Sequence, residues 1–552
     1  MPRSNHFTFL TLATLLALAA CEAPAPRTTA AQPAPAMFET FGTLHRDTGR
    51  RVPAAQRYFD QGLRMAYGFN HEAAGRAFAE AARLDPDCAI CVWGQALVLG
   101  PNINLPMAPE LASQATALAR KAQALAGHAR PVDRALIDAL AKRYADPAPA
   151  DRKPLDRAYA DAMGEVAARF PDDDDVAALY AESLMDLTPW NYWSPAGKPT
   201  GDTPAIVASL ERVLERNPRH IGAIHYYIHA VEASDDPGRA ERYADTLGDL
   251  APGSGHLVHM PAHTYLRIGR YHDATLANLR ATTADKSFLA VCHGSNGMYP
   301  LGYVPHNWHF AVLSAGLQGS RTLAEQAAAE TFKRVDMGKL DALNFMQHGT
   351  VAPLFTRVRF GEWDRILAMP GSPADRPYPT GIWHFARGMA QLRKGDKAAA
   401  RVELDALSQI ASDQAMEKLV LGDLNRADLL LKVGERILRG ELAIAEGRRD
   451  PGLQALREAV AIEDTLNYNE PADWPLPARN YLGAALVGAD KPREAIEAFT
   501  GALKEYPKNG WSLYGLAQAQ RALGDATAAD ATMARQQAAW AWADTPLRAA
   551  VF

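Results

Sequence analysis

Small and apolar residues recur along this chain with the spacing of paired helices. From Ala55, taken as position 1, Tyr58, Gly62, Ala74, Phe78, Ala81 and Pro86 fall at positions 4, 8, 20, 24, 27 and 32. Small residues at 8 and 20 let two helices approach closely, an aromatic ring at 24 fills the space between hairpins, and a proline at 32 stops the second helix. The same slots return from Leu476 as Gly483, Ala495, Phe499, Ala502 and Pro507. Both segments are predicted as helix–turn–helix hairpins. No stretch alternates polar and apolar residues for any length, so an all-α fold is expected.

Between these two hairpins the frame is broken by insertions. A hairpin opens at Asp87, with Gly94 at position 8, and a Pro/Asn-rich insertion over 100–109 splits its helices. Further helices are predicted within 110–146, over 155–170 and over 176–187, with the acid run Asp172–Asp175 read as a solvated turn and N-cap. The aromatic segment 188–200 has no helical period and is expected to cover a groove edge. Hairpins 221–254 and 255–288 follow, with Ala240 and Ala274 both at position 20. A loop is predicted over 287–303. Later frames begin at Pro305, near Gln347 (where Pro353 interrupts), and at Gly381, Val433, Leu476 and Gly510, and a cap helix runs to about Ala543.

Composition changes this picture mainly at the N-terminus. The chain has 552 residues, a net charge of −5 and 48% hydrophobic residues, which reads as globular and offers no basic stripe for nucleic acid. Phe7–Ala20 is an apolar run after Arg3, too short to span a bilayer, and it ends Leu18-Ala19-Ala20-Cys21. That ending resembles the bacterial lipobox, which implies cleavage before Cys21, lipid attachment to it and, with Glu22 following, the periplasmic side of the outer membrane. The expected division is a signal peptide over 1–20, a lipidated Pro/Ala-rich tether over 21–50, N-terminal hairpins over 51–200, histidine-rich repeats over 201–330, degenerate hairpins over 331–465, and C-terminal repeats with a cap over 466–552. Cys88 and Cys91 could pair in an oxidising compartment, leaving Cys292 over; a redox or soft-metal role for the Cys-x-x-Cys is the alternative.

The slots above resemble the tetratricopeptide repeat (TPR), whose period is 34 residues, and the resemblance covers most of 54–540. More narrowly, the blocks 59–104, 255–274 with 304–310, and 468–486 with 509–518 resemble a group of bacterial TPR lipoproteins. The resemblance implies a right-handed superhelix of roughly ten hairpins. It also implies a concave groove lined by positions 2, 5, 9 and 12 of each first helix, with a protein or peptide as its usual ligand.

Histidines occupy those groove positions. Ten of the sixteen lie between His220 and His309, and His225 and His229 recur 34 residues later as His259 and His263. Position 5 holds His225, His259 and His309; position 9 holds His229 and His263; position 2 holds His256, His306 and, in the frame broken by Pro353, His348. Glu232 stands at position 12. Residues three or four apart share a helix face, so these side chains are expected on one surface. Three readings stay open: core histidines, a row of hydrogen-bonding groups for a peptide or small ligand, or ligands for a transition metal, Zn or Cu. Under the last, His225, His229, His259, His263 and His309 are the expected ligands. His220, His272 and His384 fall outside the groove slots and are expected at the surface or in packing.

No catalytic residue is assigned. His225-x3-His229 and His259-x3-His263 have zincin spacing without the glutamate that serves as base, and Cys88-x2-Cys91 is followed by Val92 instead of a haem-binding histidine. The sequence reading is an envelope lipoprotein that binds a partner through a histidine-lined groove, with a metal-dependent role as the alternative.

Overall fold

The glycines of the repeat frame sit where an aromatic ring needs their space. The computed structural model describes residues 34–194, 197–292 and 297–552; the expected signal peptide, Cys21 and His293 lie outside the described residues. Phe78 is fully buried, and a Cβ built on Gly62 or Gly94 would come within 2.7 or 2.5 Å of its ring. Gly483 and Gly515 flank Phe499 in the same way, at 2.7 and 2.2 Å. Each pair spans 32 residues, so one device locks successive hairpins together at both ends of the chain. Burying such a ring contributes about 1.5–3 kcal/mol.

The result is an all-α, right-handed superhelix of stacked hairpins. The first is Pro53–Tyr67 with His71–Leu84, and the last is Gly510–Ala522 with Ala526–Ala539. The only sheet among the described residues pairs Val420–Leu421 with Asn425–Arg426. No helix among them is long and apolar enough to cross a membrane.

The superhelix closes on itself. Tyr271 donates its hydroxyl to the Pro507 carbonyl at 2.6 Å, and the Trp511 indole N–H reaches the Gly316 carbonyl at 3.0 Å. Gly269 is needed at this junction: its φ is +77°, and a Cβ there would lie 2.2 Å from the Pro507 oxygen. From the other end, Tyr67 packs against Gly222, where a Cβ would fall 2.3 Å from the ring. Both ends of the chain therefore reach the histidine-bearing repeats.

Several local expectations change. The helix Tyr271–Val291 runs into the loop predicted over 287–303, because Phe288 is buried against Phe38 and Phe41, 5.3 and 5.7 Å away. Pro353 lies inside the helix Met346–Arg359 instead of ending it. The last helix stops at Ala539, where Trp540 turns back onto Trp511 at 5.3 Å. The acid run is only partly a solvated turn. Asp173 caps a helix through Val176 N–H, but Asp175 is buried and accepts from Tyr67, His220 and Arg46.

Candidate metal centre

The expected groove is filled. His225, His229, His256, His259, His263 and Glu232 are each 2% exposed or less. What remains open is a cavity of about 400 Å³ lined by His229, His256, His263 and His306 on one side and by His309, His348, Glu470 and Asp473 on the other. Tyr303, Phe345 and Leu301 supply apolar wall, and Trp190, from the segment 188–200, stands edge-on to His229 at 5.2 Å.

Four helices bring the imidazoles together. Ile221–Val231 carries His225 and His229 one turn apart. Gly255–His259 and Pro261–Arg267 carry His256, His259 and His263, with Pro261 breaking the backbone ladder between the last two. Val304–Leu317 carries His306 and His309. Three ligand sets follow, each with donor atoms within 4.8 Å of one another: His225, His229 and His256; His259, His263 and His306; and His229, Glu232 and His263.

Hydrogen bonds fix the tautomers. His225 Nδ1 faces the Tyr67 carbonyl at 2.6 Å, so it carries the proton. His229 and His263 turn their Nδ1 atoms to the two oxygens of Glu232, at 2.8 and 2.5 Å. His259 Nδ1 lies 2.6 Å from Asn278 Oδ1, and Asn278 spends its amide N–H on the Ala274 carbonyl, which orients the amide. All four imidazoles therefore present an Nε2 lone pair inward. His259 and His263 point theirs at each other across 2.9 Å. His229 Nε2 has no hydrogen-bond partner among the described residues, and neither has His256 Nδ1. His256 Nε2 lies 3.1 Å from His225 Nε2.

The electrostatics favour the neutral form of His225, His229, His256, His259 and His306. Burial holds His225, His256, His259 and His306 well below the usual imidazole range, and their mutual proximity adds to it. Burial lowers His229 too, against the opposing pull of Glu232. Burial would raise Glu232, but His263 and His229 outweigh it and bring the carboxyl down to about 2. Behind Glu232, Tyr468 stands 3.1 Å from its Oε2 and 3.0 Å from Glu470. Burial raises Glu470 to about 8. Neutral imidazoles backed by a carboxylate, an amide and a main-chain carbonyl form the donor shell a transition metal requires.

His309 and His348 stand apart from these sets. His309, expected as a ligand, joins no donor set among the described residues, because position 9 of its repeat is the apolar Leu313. His348 Nε2 instead lies 3.1 Å from Asp473 Oδ1, and Tyr378 contacts its Nδ1 at 3.2 Å. His256 and His306, expected only to line the groove, complete the sets. His220 is buried, where it caps the helix Ile221–Val231 and contacts Asp175; His272 stacks on Trp542 at 4.0 Å; His384 contacts Glu403. Cys88 and Cys91 form a disulfide at a helix start, and Cys292 is a free thiol.

Phe69 was not legible as a site residue. It packs on His225 at 4.5 Å and stacks on His256 at 5.6 Å, from a backbone φ of 55°. Trp190 and Asp423, at the cavity, share this left-handed conformation, with φ of 64° and 60°. Three such non-glycine residues around one site mark stored backbone strain. The sequence signal for Phe69 is its place in the tight turn of the first hairpin, where glycine is the easy choice.

Among known proteins, a tetratricopeptide-repeat family profile matches residues 486–539. No curated protein sequence matches the chain. Solved structures similar to it include yeast Tom70 (12% identity, TM-score 0.29, covering 88% of this chain and 90% of that one). The human IFIT1 dimer with m7Gppp-AAAA is similar at 10% identity and TM-score 0.34, covering 90% and 91%. The APC/C hetero-tetramer Cut9-Hcn1 is similar at 12% and 0.30, covering 89% and 74%. These likenesses are too shallow to carry a function across.

Proposed function

We propose that this chain, a member of the tetratricopeptide-repeat superfamily, is a metal-binding protein of the cell envelope that holds a transition metal on buried histidines beside a small-ligand cavity. Tetratricopeptide folds serve generally as protein-interaction scaffolds. In this chain the histidine surface that would take a peptide is buried, and the open volume of about 400 Å³ suits a small molecule.

The observation that carries the reading is the pair of Nε2 lone pairs of His259 and His263 facing each other at 2.9 Å. With both Nδ1 atoms turned to Asn278 and Glu232, two neutral rings have no proton left to share across this gap. A cation between them removes the repulsion. Nitrogens around a tetrahedral ion with bonds of 2.0–2.1 Å lie about 3.3 Å apart, close to the spacing seen. A core histidine would instead be paired donor to acceptor.

The Leu18–Cys21 motif supports an anchor on the periplasmic side of the outer membrane, and the Cys88–Cys91 disulfide suits that oxidising compartment. The test of the metal reading is elemental analysis of the full chain purified without an affinity tag. Bound zinc or copper is expected, and it should be lost when His259 and His263 are both changed to alanine. A metal-free protein that also fails to bind either ion on titration overturns the reading.

A further inference from the structure

The proposed function needs one metal ion; the repeat register points to more. We propose that the chain carries two equivalent three-histidine sites side by side, built by the same repeat positions one period apart, and that both take copper as the monovalent ion. This rests on the metal reading above and adds number and kind to it.

The first site takes positions 5 and 9 of one repeat and position 2 of the next: His225, His229 and His256. The second repeats the recipe one hairpin on, with His259, His263 and His306. In each, the three donor atoms lie within 4.8 Å of one another. The series then stops for a visible reason. A third copy would use positions 309, 313 and 348, and its middle member is Leu313. No metal-ligating set forms there among the described residues.

The two sites share a wall. The rings of His229 and His263 lie 5.1 Å apart, and those of His256 and His259 5.6 Å. The third geometric set, His229, Glu232 and His263, is the brace between the sites. Glu232 gives one oxygen to the Nδ1 of a ligand in each, leaving both Nε2 atoms for metal. Two ligands of each site, His229 with His256 and His263 with His306, also line the cavity, so a small molecule there meets both sites at once.

Charge selects the ion. The donors are six imidazoles, each neutral when it gives a lone pair to a metal, and the carboxylate behind them is Glu232. Two divalent ions would place four positive charges against one negative at sites walled by protein on all but the cavity side, where desolvation cost grows steeply with charge. Two monovalent ions leave a net charge of about one, which the buried shell tolerates far better. Copper is the first-row metal with a stable monovalent state, imidazole is among its usual ligands, and three neutral nitrogens satisfy it without an added anion.

The experiment is an anaerobic titration of the full-length, chelator-stripped protein with copper(I) against a chromophoric copper(I) chelator. Two equivalents per chain are expected. His256→Ala and His306→Ala should each leave one equivalent, and the double variant should bind neither ion tightly. His256→Gln and His306→Gln stand in if an alanine variant does not fold, and circular dichroism checks each. One equivalent in the wild type, abolished by either single change, means a single shared centre; it overturns this proposal and leaves the metal reading intact. Two equivalents of zinc with no copper overturn the choice of ion. No binding of any metal removes both.

Discussion

The hydroxyl of Tyr468 sits 3.1 Å from Glu232 Oε2, across 236 residues of chain. It joins the loop before the C-terminal repeats to the carboxylate that orients His229 and His263. Glu470, raised by burial to about 8, is protonated at neutral pH and can donate to the Tyr468 oxygen, which frees the tyrosine proton for Glu232.

That chain of donors sets the first prediction. Tyr468→Phe should lower metal affinity about tenfold, and Glu232→Gln about 10–100-fold, as removal of such outer partners does. Tyr468→Phe removes two hydrogen bonds, with Glu232 and Glu470, and should cost about 1–3 kcal/mol of stability. Competition titration and thermal unfolding check the pair. Unchanged affinity in both variants would mean that Glu232 does not orient ligands.

Part of this site was legible in the sequence and part was not, for one physical reason. Gly62, Phe78, Gly483 and Phe499 follow a local period, so hairpin stacking could be read from spacing alone. The imidazoles of His225, His229, His259 and His263 inherit that period. Tyr67, Phe69 and Tyr468 reach the site only because the superhelix closes, and such long-range closure leaves no periodic trace; the Asn469–Pro471 segment beside Tyr468 is legible only as a groove rim or a loop anchor. The same closure turned an expected open groove into a cavity. His309 shows the limit of the frame: its position is right, but Leu313, one turn on, leaves it without the partner that a ligand set needs.

The repeat lock gives a stability prediction. A Cβ at Gly483 would lie 2.7 Å from the Phe499 ring, which Gly515 already confines from the other side. Gly483→Leu should therefore destabilise by about 1–3 kcal/mol through overpacking. Gly395 has nothing near its Cβ position, but its φ of +91° would strain any side chain; Gly488, with open space and an ordinary φ, is the better control. Gly488→Ala should shift the denaturation midpoint little or favourably. Equal losses at 483 and 488 would argue against the lock.

Acid should destabilise the metal-free protein. Burial brings His71 down to about 4 and His309 to about 3, and it holds His225, His256, His259 and His306 well below the usual range. In the unfolded chain these rings titrate near 6.5. Between those values the unfolded state binds more protons, so stability rises with pH there and is lost as pH falls from about 6.5 toward the folded values. Each such group contributes up to about 1.4 kcal/mol per pH unit. Unfolding near pH 5.5 should be accompanied by uptake of several protons, measurable from the pH dependence of the denaturation midpoint. A flat profile between pH 5 and 7 would contradict the buried, neutral state of the cluster.

Lipid anchoring is a separate prediction, motivated by Leu18–Cys21. Expressed in a bacterial host, the chain should fractionate with membranes, and Cys21→Ser should release it from them. A Cys21→Ser protein that stays with membranes would require another anchor.

The sharpest contrast lies between metal ligands and packed core histidines at positions 259 and 263, because both readings predict some loss when the rings are removed. His259→Ala with His263→Ala empties two fully buried positions, and the cavity alone should cost a few kcal/mol. That loss does not distinguish the readings; the response to metal does. An ion that binds only the folded state at about 100 times its dissociation constant stabilises it by about 2.7 kcal/mol. Copper(I) or zinc should therefore raise the unfolding temperature of the wild type, and a chelator should reverse the shift. The double variant should show a lower midpoint and a smaller response to either ion. If the two sites are independent, the variant keeps the part of the response carried by His225, His229 and His256; if the centre is shared, it keeps none. A wild-type midpoint unmoved by either ion overturns the metal reading and leaves the 2.9 Å pair as a packed core contact that shares a proton.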